Sequence, residues 1–439
     1  MSHSVNIKNS LLLIVEKVIL LGMAFLTSVL IARIAGPELF GQFAYITSFS
    51  ALFIPLCTMG LASVVTKYFV LYPQRSHYLF LNALALRGLG GLFSIIIGGF
   101  VAYIITENKA QLTNIIFLLT LQSFTVFYLV EHFFLAKEKV IITLRVRLPI
   151  LFITNLLKII AILKGANLQV LIILHGLDFV AISACYMFLY YTHKQPSFNK
   201  DVRTLNKRTI FHLIGKGKWL LFSGVAAALY LKIDQVMLAS YYGPEEVAHY
   251  AVAAKLSEFW YVFPILIANS FNPKLIKIKQ ISQKEFKKLL LTILSILIAI
   301  AFFISLITFL FSSSIIELIY GKAYQNSAAI LNIHIFATLF IFQRAILSKW
   351  LIIESNYKFS LISHGAGAIS NVILNIIFIP KYGGIGAAWS TLISYMIASF
   401  LSLVIYKETR PFMLLMTIAM LTWPKFLSDI LLSKRKQLN

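Results

Sequence analysis

Residues 32–38 read ARIAGPE and precede FA at residues 43–44, and residues 239–245 read ASYYGPE and precede YA at residues 250–251. Each copy lies between two long apolar segments. Glycine supplies a left-handed stop at the end of a helix, and proline fits the first turn of the next helix. Each copy therefore predicts a tight turn between two helices, and its recurrence indicates an internal repeat. Two similar but unrelated helical hairpins are the simpler alternative.

A second correspondence concerns prolines within the apolar segments. Pro55 and Pro264 follow the two glycine–proline turns at nearly the same distance. A proline inside a helix removes a backbone hydrogen bond and kinks the helix. Interruptions at matching positions in the two halves of a membrane protein are typical of the moving parts of transporters. We therefore predict that Pro55 and Pro264 act as hinges, which weakens the explanation by unrelated hairpins.

The composition is that of a protein whose solvent is lipid. Of the 439 residues, 59% are hydrophobic and 13% are charged, and the mean hydropathy is +0.85. A soluble fold needs polar residues to cover its surface, whereas a surface that faces lipid stays apolar. Cys57 and Cys185 lie inside apolar runs, and we interpret them as packing residues. The sequence predicts no metal site, no catalytic residue and no cofactor.

The apolar segments form a regular series. About 20 residues are needed to cross roughly 30 Å of hydrocarbon, and continuous runs of this length favour helices. The first run lacks a small-residue cleavage site, so we interpret it as a transmembrane helix rather than a signal peptide. The predicted helices are 10–34, 41–66, 82–106, 112–135, 147–163, 168–192, 219–241, 246–271, 288–312, 327–352, 359–379 and 384–406.

Lysine and arginine are concentrated in every second loop, and this distribution indicates the orientation in the membrane. If the N-terminus is inside, the loops on that side carry most of the basic residues, including seven from Lys194 to Lys218. Cytoplasmic loops hold this excess, so we predict a bacterial inner-membrane protein with both termini in the cytoplasm. The formal net charge of +23 then reflects the basic residues of the cytoplasmic loops and does not indicate nucleic-acid binding.

The longest polar stretch divides the helices into two sets of six. We predict an N-terminal lobe at 1–192, a cytoplasmic linker at 193–218, a C-terminal lobe at 219–406 and a tail at 407–439. The apolar stretch 412–423 of the tail is too short to cross the membrane and is predicted to be interfacial or re-entrant. The predicted fold is an all-α membrane protein with about twelve transmembrane helices in two pseudo-symmetric six-helix lobes around a central cavity.

Ionisable residues within the apolar segments are candidates for the functional site. Each costs on the order of 2.5–3.5 kcal/mol at a helix centre, so such residues are expected to face a watery interior. Near a helix end the side chain can extend to the membrane surface instead, which is the preferred interpretation for Glu16, Arg33 and Arg87. The candidate contacts for an anionic ligand are Lys232, Lys255, Arg344, Lys158, Arg33 and Arg87.

Ion coupling requires a group that binds a proton or a cation, and the candidates are Asp234, Asp178 and Glu258. Ion pairing between helices is the alternative role for all of these charges. Lys255 and Glu258 share one face of a helix and can neutralise each other. Lys232 and Asp234 are two residues apart and cannot pair along one helix. At least one of them therefore needs a partner elsewhere or an anionic ligand.

Further motifs make the chain resemble a known family. Residues 233–238 read IDQVML and are followed by the second glycine–proline turn and by Pro273, and residues 318–324 read LIYGKAY. With the first-half stretch 32–41, they resemble the bacterial polysaccharide and O-antigen flippases of the multidrug, oligosaccharidyl-lipid and polysaccharide exporter superfamily. The resemblance implies alternating access by two lobes around a cationic cavity. The implied substrate is an undecaprenyl diphosphate-linked glycan, moved with an ion gradient of H+ or Na+.

The expected function is thus to flip an O-antigen or capsule repeat unit across the membrane for polysaccharide or lipopolysaccharide biosynthesis. A glycan polymerase and glycosyltransferases are the expected partners, besides membrane lipids. A drug or metabolite extruder of the same superfamily would share the architecture, although such extruders usually handle cations. A membrane-bound glycan-processing enzyme is a third alternative, but the short outer loops contain no nucleophile, phosphate loop or clustered acids.

Overall fold

The computed structural model is helical throughout the residues that it describes, which are 2–193, 205–354 and 356–438, and no strand occurs among them. Ten helical stretches within these residues are long and apolar enough to cross a membrane. The all-α membrane fold predicted from the sequence is therefore confirmed. The chain packs as two compact units, Met1–Ala248 and His249–Asn439.

The described part of the first unit contains nine complete α-helices. Three of them begin after an asparagine whose side-chain oxygen accepts hydrogen bonds from free backbone N–H groups, namely Asn108, Asn167 and Asn206. The helices are α1 (Ser2–Ala51), α2 (Ile54–Thr58), α3 (Ala62–Leu71), α4 (Ser76–Ile105), α5 (Lys109–Ser123), α6 (Leu129–Ala136), α7 (Val140–Leu163), α8 (Leu168–Thr192) and α9 (Lys207–Tyr242).

The next helix, α10, runs from Pro244 to Glu258 and so crosses the boundary between the two units. The core of the second unit is built from apolar side chains that include Phe286, Phe342 and Phe412, all fully buried. The helices that follow α10 are α11 (Val262–Ile281), α12 (Gln283–Tyr320), α13 (Ser327–His334), α14 (Ala337–Ile353), α15 (Tyr357–Ser399) and α16 (Arg410–Leu438).

The outward face of α4 is apolar, and the polar groups of this helix lie inside. On α4, Phe93, Ile96 and Phe100 are more than half exposed, whereas Asn82 and Arg87 of the same helix are buried. Water-soluble proteins show the reverse tendency, because water solvates polar groups and disfavours apolar surface. The distribution on α4 is therefore that of a multi-pass membrane protein.

Gly36 and Gly243 have the same backbone conformation, with φ 78° and ψ 173° at the first and φ 78° and ψ −172° at the second. This region of φ/ψ space is open essentially only to glycine. A Cβ at either position would meet no atom within 4 Å, so the backbone conformation, and not a lack of space, requires glycine. The two matching turns predicted from the sequence are confirmed.

Two of the ten candidate membrane spans are much longer than one crossing needs, at 57 residues for Val15–Leu71 and 47 for Lys358–Val404. Each contains a glycine with non-helical backbone, Gly36 in α1 and Gly383 in α15. About 20 residues cross a bilayer, so each long span contains enough chain for two helices. Division at the glycines would give the predicted twelve, although that count and the six-helix lobes stay predictions.

The predicted lobe and linker boundaries at residues 192, 218 and 406 also stay predictions. Residues 194–204 of the predicted linker lie outside the described part of the chain. Helix α9 packs with α1, α2 and α4 in the first unit. The boundary between the two compact units thus lies after Ala248, just beyond the second glycine–proline turn.

The second and eighth predicted transmembrane helices are interrupted just before their prolines. In the first half, α1 ends at Ala51 and Pro55 lies in the first turn of the short helix α2. In the second half, a 3-10 turn at Phe259–Tyr261 separates α10 from α11, and Pro264 lies in the first turn of α11. The kinks expected from the two prolines are present at corresponding places.

The fourth and tenth predicted helices are interrupted as well. A 3-10 segment at Phe124–Tyr128 separates α5 from α6, and a break between His334 and Ala337 separates α13 from α14. Interruptions thus occur in the second and fourth predicted helices of each half. Such breaks provide the flexible joints that a hinge needs, whereas the hinge role of Pro55 and Pro264 stays a prediction.

The segment 412–423 lies within the continuous helix α16. Phe412 and Met416 are fully buried in a core that includes residues of α12 and α14. The ring of Trp423 lies 5.0 Å from that of Phe302 on α12. The chain does not turn back between Arg410 and Leu438, which argues against the re-entrant alternative, and one face of α16 packs on protein. The interfacial position of this segment stays a prediction. Pro424 leaves one carbonyl without its usual donor but does not end the helix.

Candidate functional site

A buried ion pair joins α7 and α8. The Lys158 Nζ atom lies 2.5 Å from Asp178 Oδ2, and the two side chains are 4% and 9% exposed. His175 precedes Asp178 by one helical turn, and its Nδ1 atom lies 3.6 Å from the same oxygen. A predicted anion contact and a predicted coupling residue are thus partners. Removing both charges from water is costly, and their mutual attraction offsets this cost.

Asp178 also has an unused acceptor atom. Its second carboxylate oxygen, Oδ1, is buried and has no hydrogen-bond partner among the described residues. Buried polar atoms are nearly always hydrogen-bonded, so this exception needs a physical explanation. A carboxylate with one oxygen on a lysine and the other open can accept a proton or a cation. This chemistry is what the proposed coupling role of Asp178 requires.

A second charged cluster connects α1, α6 and α7. Arg147 Nη1 lies 3.6 Å from Glu16 Oε1 and 3.5 Å from Glu131 Oε2. The expectation that Glu16 extends to the membrane surface is wrong, because its side chain is buried and reaches Arg147. Arg147 begins the predicted helix 147–163 and is not among the predicted site residues. The signal that could have found it is the need of two intramembrane glutamates for a basic partner.

Arg87 is also fully buried, with 2% of its surface exposed, so the expectation that it extends to the membrane surface is wrong. Its Nε atom donates to the carbonyl oxygen of Cys57 at 3.2 Å, and Nη2 donates to that of Thr125 at 2.9 Å. Cys57 belongs to α2 and Thr125 to the 3-10 segment before α6. Helix interruptions leave carbonyl groups without their usual donors. Arg87 therefore bridges the two interrupted helices of the first unit.

The other predicted residues of the first unit are spread along α1 and α9. Arg33 is exposed near the end of the first predicted helix, where extension to the surface remains a suitable explanation. On α9, Lys232 is half-buried and Asp234 is 1% exposed. None of these three lies in the Lys158–Asp178 pair, and their binding and coupling roles stay predictions.

The predicted residues of the second unit are Lys255, Glu258 and Arg344, all half-buried. Lys255 and Glu258 lie near the end of α10, just before the 3-10 turn. The Arg344 Nη1 atom donates to the carbonyl oxygen of Ala398 at 2.7 Å, which joins α14 to α15. Their roles toward an anionic ligand or a coupling ion also stay predictions.

Helices α1 and α9 meet at a close seam in the first unit. The Ser48 hydroxyl donates to Gln235 Oε1 at 2.7 Å, and both side chains are buried. Nearer the turns, a Cβ on Gly41 would lie 1.8 Å from the carbonyl oxygen of Pro244. Only glycine permits this approach, because backbone atoms cannot move aside as a flexible side chain can. Sequence reasoning missed both contacts, since neither residue type signals a partner.

The apolar helices and the charges buried among them define the class of polytopic membrane proteins. The lipid II flippase MurJ, in its inward closed conformation, superposes with a TM-score of 0.68 at 16% sequence identity, over 94% of this chain and 92% of MurJ. At that identity the likeness shows the fold alone. The chain belongs to the polysaccharide biosynthesis protein family, whose sequence profile matches residues 7–270. The family resemblance seen in the motifs is confirmed.

Further similarities cover parts of the chain. The MatE family profile matches residues 220–377. The capsular polysaccharide biosynthesis protein CapF of Staphylococcus aureus is 27% identical over 236 residues, which are 53% of this chain and 57% of CapF. A protein described as an O-antigen transporter of Shigella flexneri is 26% identical over 220 residues, 49% of this chain and 51% of that one. The chain spans about half the length of these relatives.

Proposed function

We propose that this protein is a flippase that moves an undecaprenyl diphosphate-linked oligosaccharide, an O-antigen or capsule repeat unit, from the cytoplasmic to the periplasmic leaflet. The observation that carries the proposal is membership of the polysaccharide biosynthesis family over residues 7–270. The flippase-like fold and the names of the two relatives support it. The protein would act in the bacterial inner membrane beside a glycan polymerase and glycosyltransferases, and it would perform no chemistry on the glycan.

The diphosphate group is the part of this substrate that basic side chains recognise. Lys232, Lys255 and Arg344 are half-buried, so each combines a low-dielectric setting with a reachable charge. Charge-assisted hydrogen bonds to phosphate oxygens are strong in such surroundings. Lys158 and Arg87 are weaker candidates, since both side chains are almost completely buried and a ligand could reach neither without rearrangement.

The proposed mechanism is alternating access driven by H+ or Na+. The interruptions beside Pro55 and Pro264 provide joints at which the helices can bend. Asp178, Asp234 and Glu258 are the candidate coupling groups, and the open oxygen of Asp178 supports its candidacy. Binding of an ion at such a group would favour one conformation over the other by its difference in affinity for the two.

An extruder of drugs or metabolites is the second candidate function. The match of the MatE profile to residues 220–377 favours it. Cationic drugs need acidic or aromatic surroundings, whereas the proposed contacts in this chain are basic. The anionic lipid-linked glycan therefore fits the charges better.

The test is flipping of labelled diphosphate-linked glycan by the full-length protein in proteoliposomes. We expect wild-type protein to flip it, and Lys232→Ala and Asp234→Asn to reduce the rate. Lys322→Ala is a matched control, because the Lys322 side chain is 89% exposed and lies in a connection outside the proposed site. No flipping by wild type would overturn the function. Equal rates for all variants would remove Lys232 and Asp234 from the site.

A further inference from the structure

A cavity of about 380 Å³ opens in the first unit between α1, the connection from α4 to α5, and α9. Its size is in the range of small-molecule binding sites. It lies in the region where the α4–α5 connection is predicted to face the periplasm. None of the residues assigned above to substrate binding or coupling lines it.

The lining of this cavity is rich in hydrogen-bonding groups. Eight residues line it, and six of them have a hydroxyl, amide or carboxylate side chain. Four parts of the chain contribute these six groups, namely α1, the α4–α5 connection, α5 and α9, so the arrangement is produced by the tertiary fold. The six are Tyr45, Thr106, Glu107, Asn108, Gln111 and Ser240.

Several of these groups retain hydrogen-bonding capacity. The hydroxyls of Tyr45 and Thr106 are 3.4 Å apart, and the Ser240 hydroxyl donates to the Val236 carbonyl at 3.3 Å. Both distances are long for hydroxyl hydrogen bonds, which favour about 2.7–2.8 Å. Asn108 uses its side-chain oxygen to cap α5, which leaves its NH2 group as a donor. The cavity thus presents donors and acceptors that a ligand can complete.

The charge of the cavity disfavours a phosphate. Among the described residues that line it, none is basic, and Glu107 contributes a carboxylate. An anion would be repelled by Glu107, whereas hydroxyl groups can donate to this carboxylate and accept from amide groups. The chemistry therefore suits a neutral polyhydroxylated ligand.

The α1–α9 seam bounds this cavity. Ser48 lies one helical turn from Tyr45, and Gln235 lies one turn from Ala239 of the lining. The hydrogen bond between Ser48 and Gln235 is buried and closes the space between the two helices at that level. A ligand in the cavity would therefore touch both helices directly above their contact.

We propose that this cavity binds sugar residues of the transported glycan on the periplasmic side, separately from its diphosphate. The inference rests on the proposed function and adds a second, neutral subsite to it. The diphosphate would remain with the basic residues, while the sugars complete the hydrogen bonds of Tyr45, Thr106 and Ser240.

The test measures protection of a cysteine in the cavity. Cys185→Ser removes the exposed native thiol and leaves only the buried Cys57, and Gln111→Cys adds a reporter. The probe is the repeat-unit oligosaccharide released from its lipid by mild acid. At about twice its Kd, it should slow maleimide labelling of the purified full-length protein about threefold. Inorganic pyrophosphate should have no effect.

Thr113→Cys is the matched control, since Thr113 is exposed on the same helix and outside the lining. Its labelling should be unchanged by the oligosaccharide. Protection by pyrophosphate, equal protection of both cysteines, or no protection would each overturn the sugar subsite. Labelling does not require transport, so a lack of flipping by wild type in proteoliposomes would refute the proposed function independently of this result.

Discussion

At the scale of single residues, the buried charges of Lys158 and Asp178 are tolerated only because they form a pair. Both side chains lie almost entirely out of water, so loss of one leaves the other charge buried without an opposite charge. His175 is near the same carboxylate oxygen but is a weaker partner, since it is charged only when protonated. The pair is therefore a sensitive point for stability as well as a candidate for coupling.

Asp178→Asn should destabilise the protein by about 3–5 kcal/mol, because it leaves the Lys158 ammonium uncompensated. The measurement is denaturant or thermal unfolding in detergent. The double variant Lys158→Met with Asp178→Leu should recover most of the loss, since apolar groups of similar volume need no partner. If that double variant still flips glycan in a gradient-dependent manner, Asp178 is not the coupling residue. An unchanged stability in Asp178→Asn would contradict the pairing itself.

At the scale of elements, the first unit contains two broken helices connected by one guanidinium. Arg87 of α4 donates to a carbonyl of α2 and to a carbonyl of the 3-10 segment 124–128. Glycine supports the same region, since a Cβ at Gly90 of α4 would lie 2.1 Å from the Leu56 carbonyl oxygen. The interruptions are thus held in place by α4.

Arg87→Met should therefore loosen both interruptions. Each carbonyl that loses its donor costs about 1–3 kcal/mol when it stays buried. Hydrogen exchange should become faster in residues 54–60 and 124–128, and the unfolding temperature should fall. Arg145→Met is the control, because Arg145 is an exposed arginine on α7. Equal exchange in both variants would argue against the bridging role of Arg87.

Local chemistry made some of these elements predictable and not others. The turns at Gly36 and Gly243 and the kinks beside Pro55 and Pro264 follow from the conformational limits of glycine and proline. The 3-10 segment 124–128 contains neither residue, so the sequence has no local signal for it. Pairings such as Lys158 with Asp178 depend on the rotation of each helix about its axis. That rotation is set by packing of the whole unit and cannot be read from spacing along one helix.

At the scale of the whole molecule, the length and packing of α16 raise the question of which side of the membrane holds the C-terminus. Its 29 residues extend about 44 Å, more than the roughly 30 Å of a bilayer core. Its start packs against Trp350, and Trp423 packs against Phe302 in the middle of α12. The basic residues Lys434, Arg435 and Lys436 at its end nevertheless favour the cytoplasmic side.

We expect a reporter fused after Asn439 to be active in the cytoplasm. The physical reason is the cost of moving three clustered basic residues across the membrane. Paired fusions of a cytoplasmic fluorescent protein and a periplasmic phosphatase measure this directly. A fusion after Thr192 serves as the internal reference, because that position is also predicted to face the cytoplasm. Phosphatase activity at Asn439 alone would mean that α16 crosses completely.

The contact between Gly41 and Pro244 has an evolutionary consequence. Counting from the two glycine–proline turns, Gly41 in the first half corresponds to Ala248 in the second. An alanine at position 41 would collide with the Pro244 carbonyl oxygen. If the halves arose by gene duplication, they have since become non-interchangeable at this point. A synthetic ancestor assembled from two copies of the second half would need another way to join these turns.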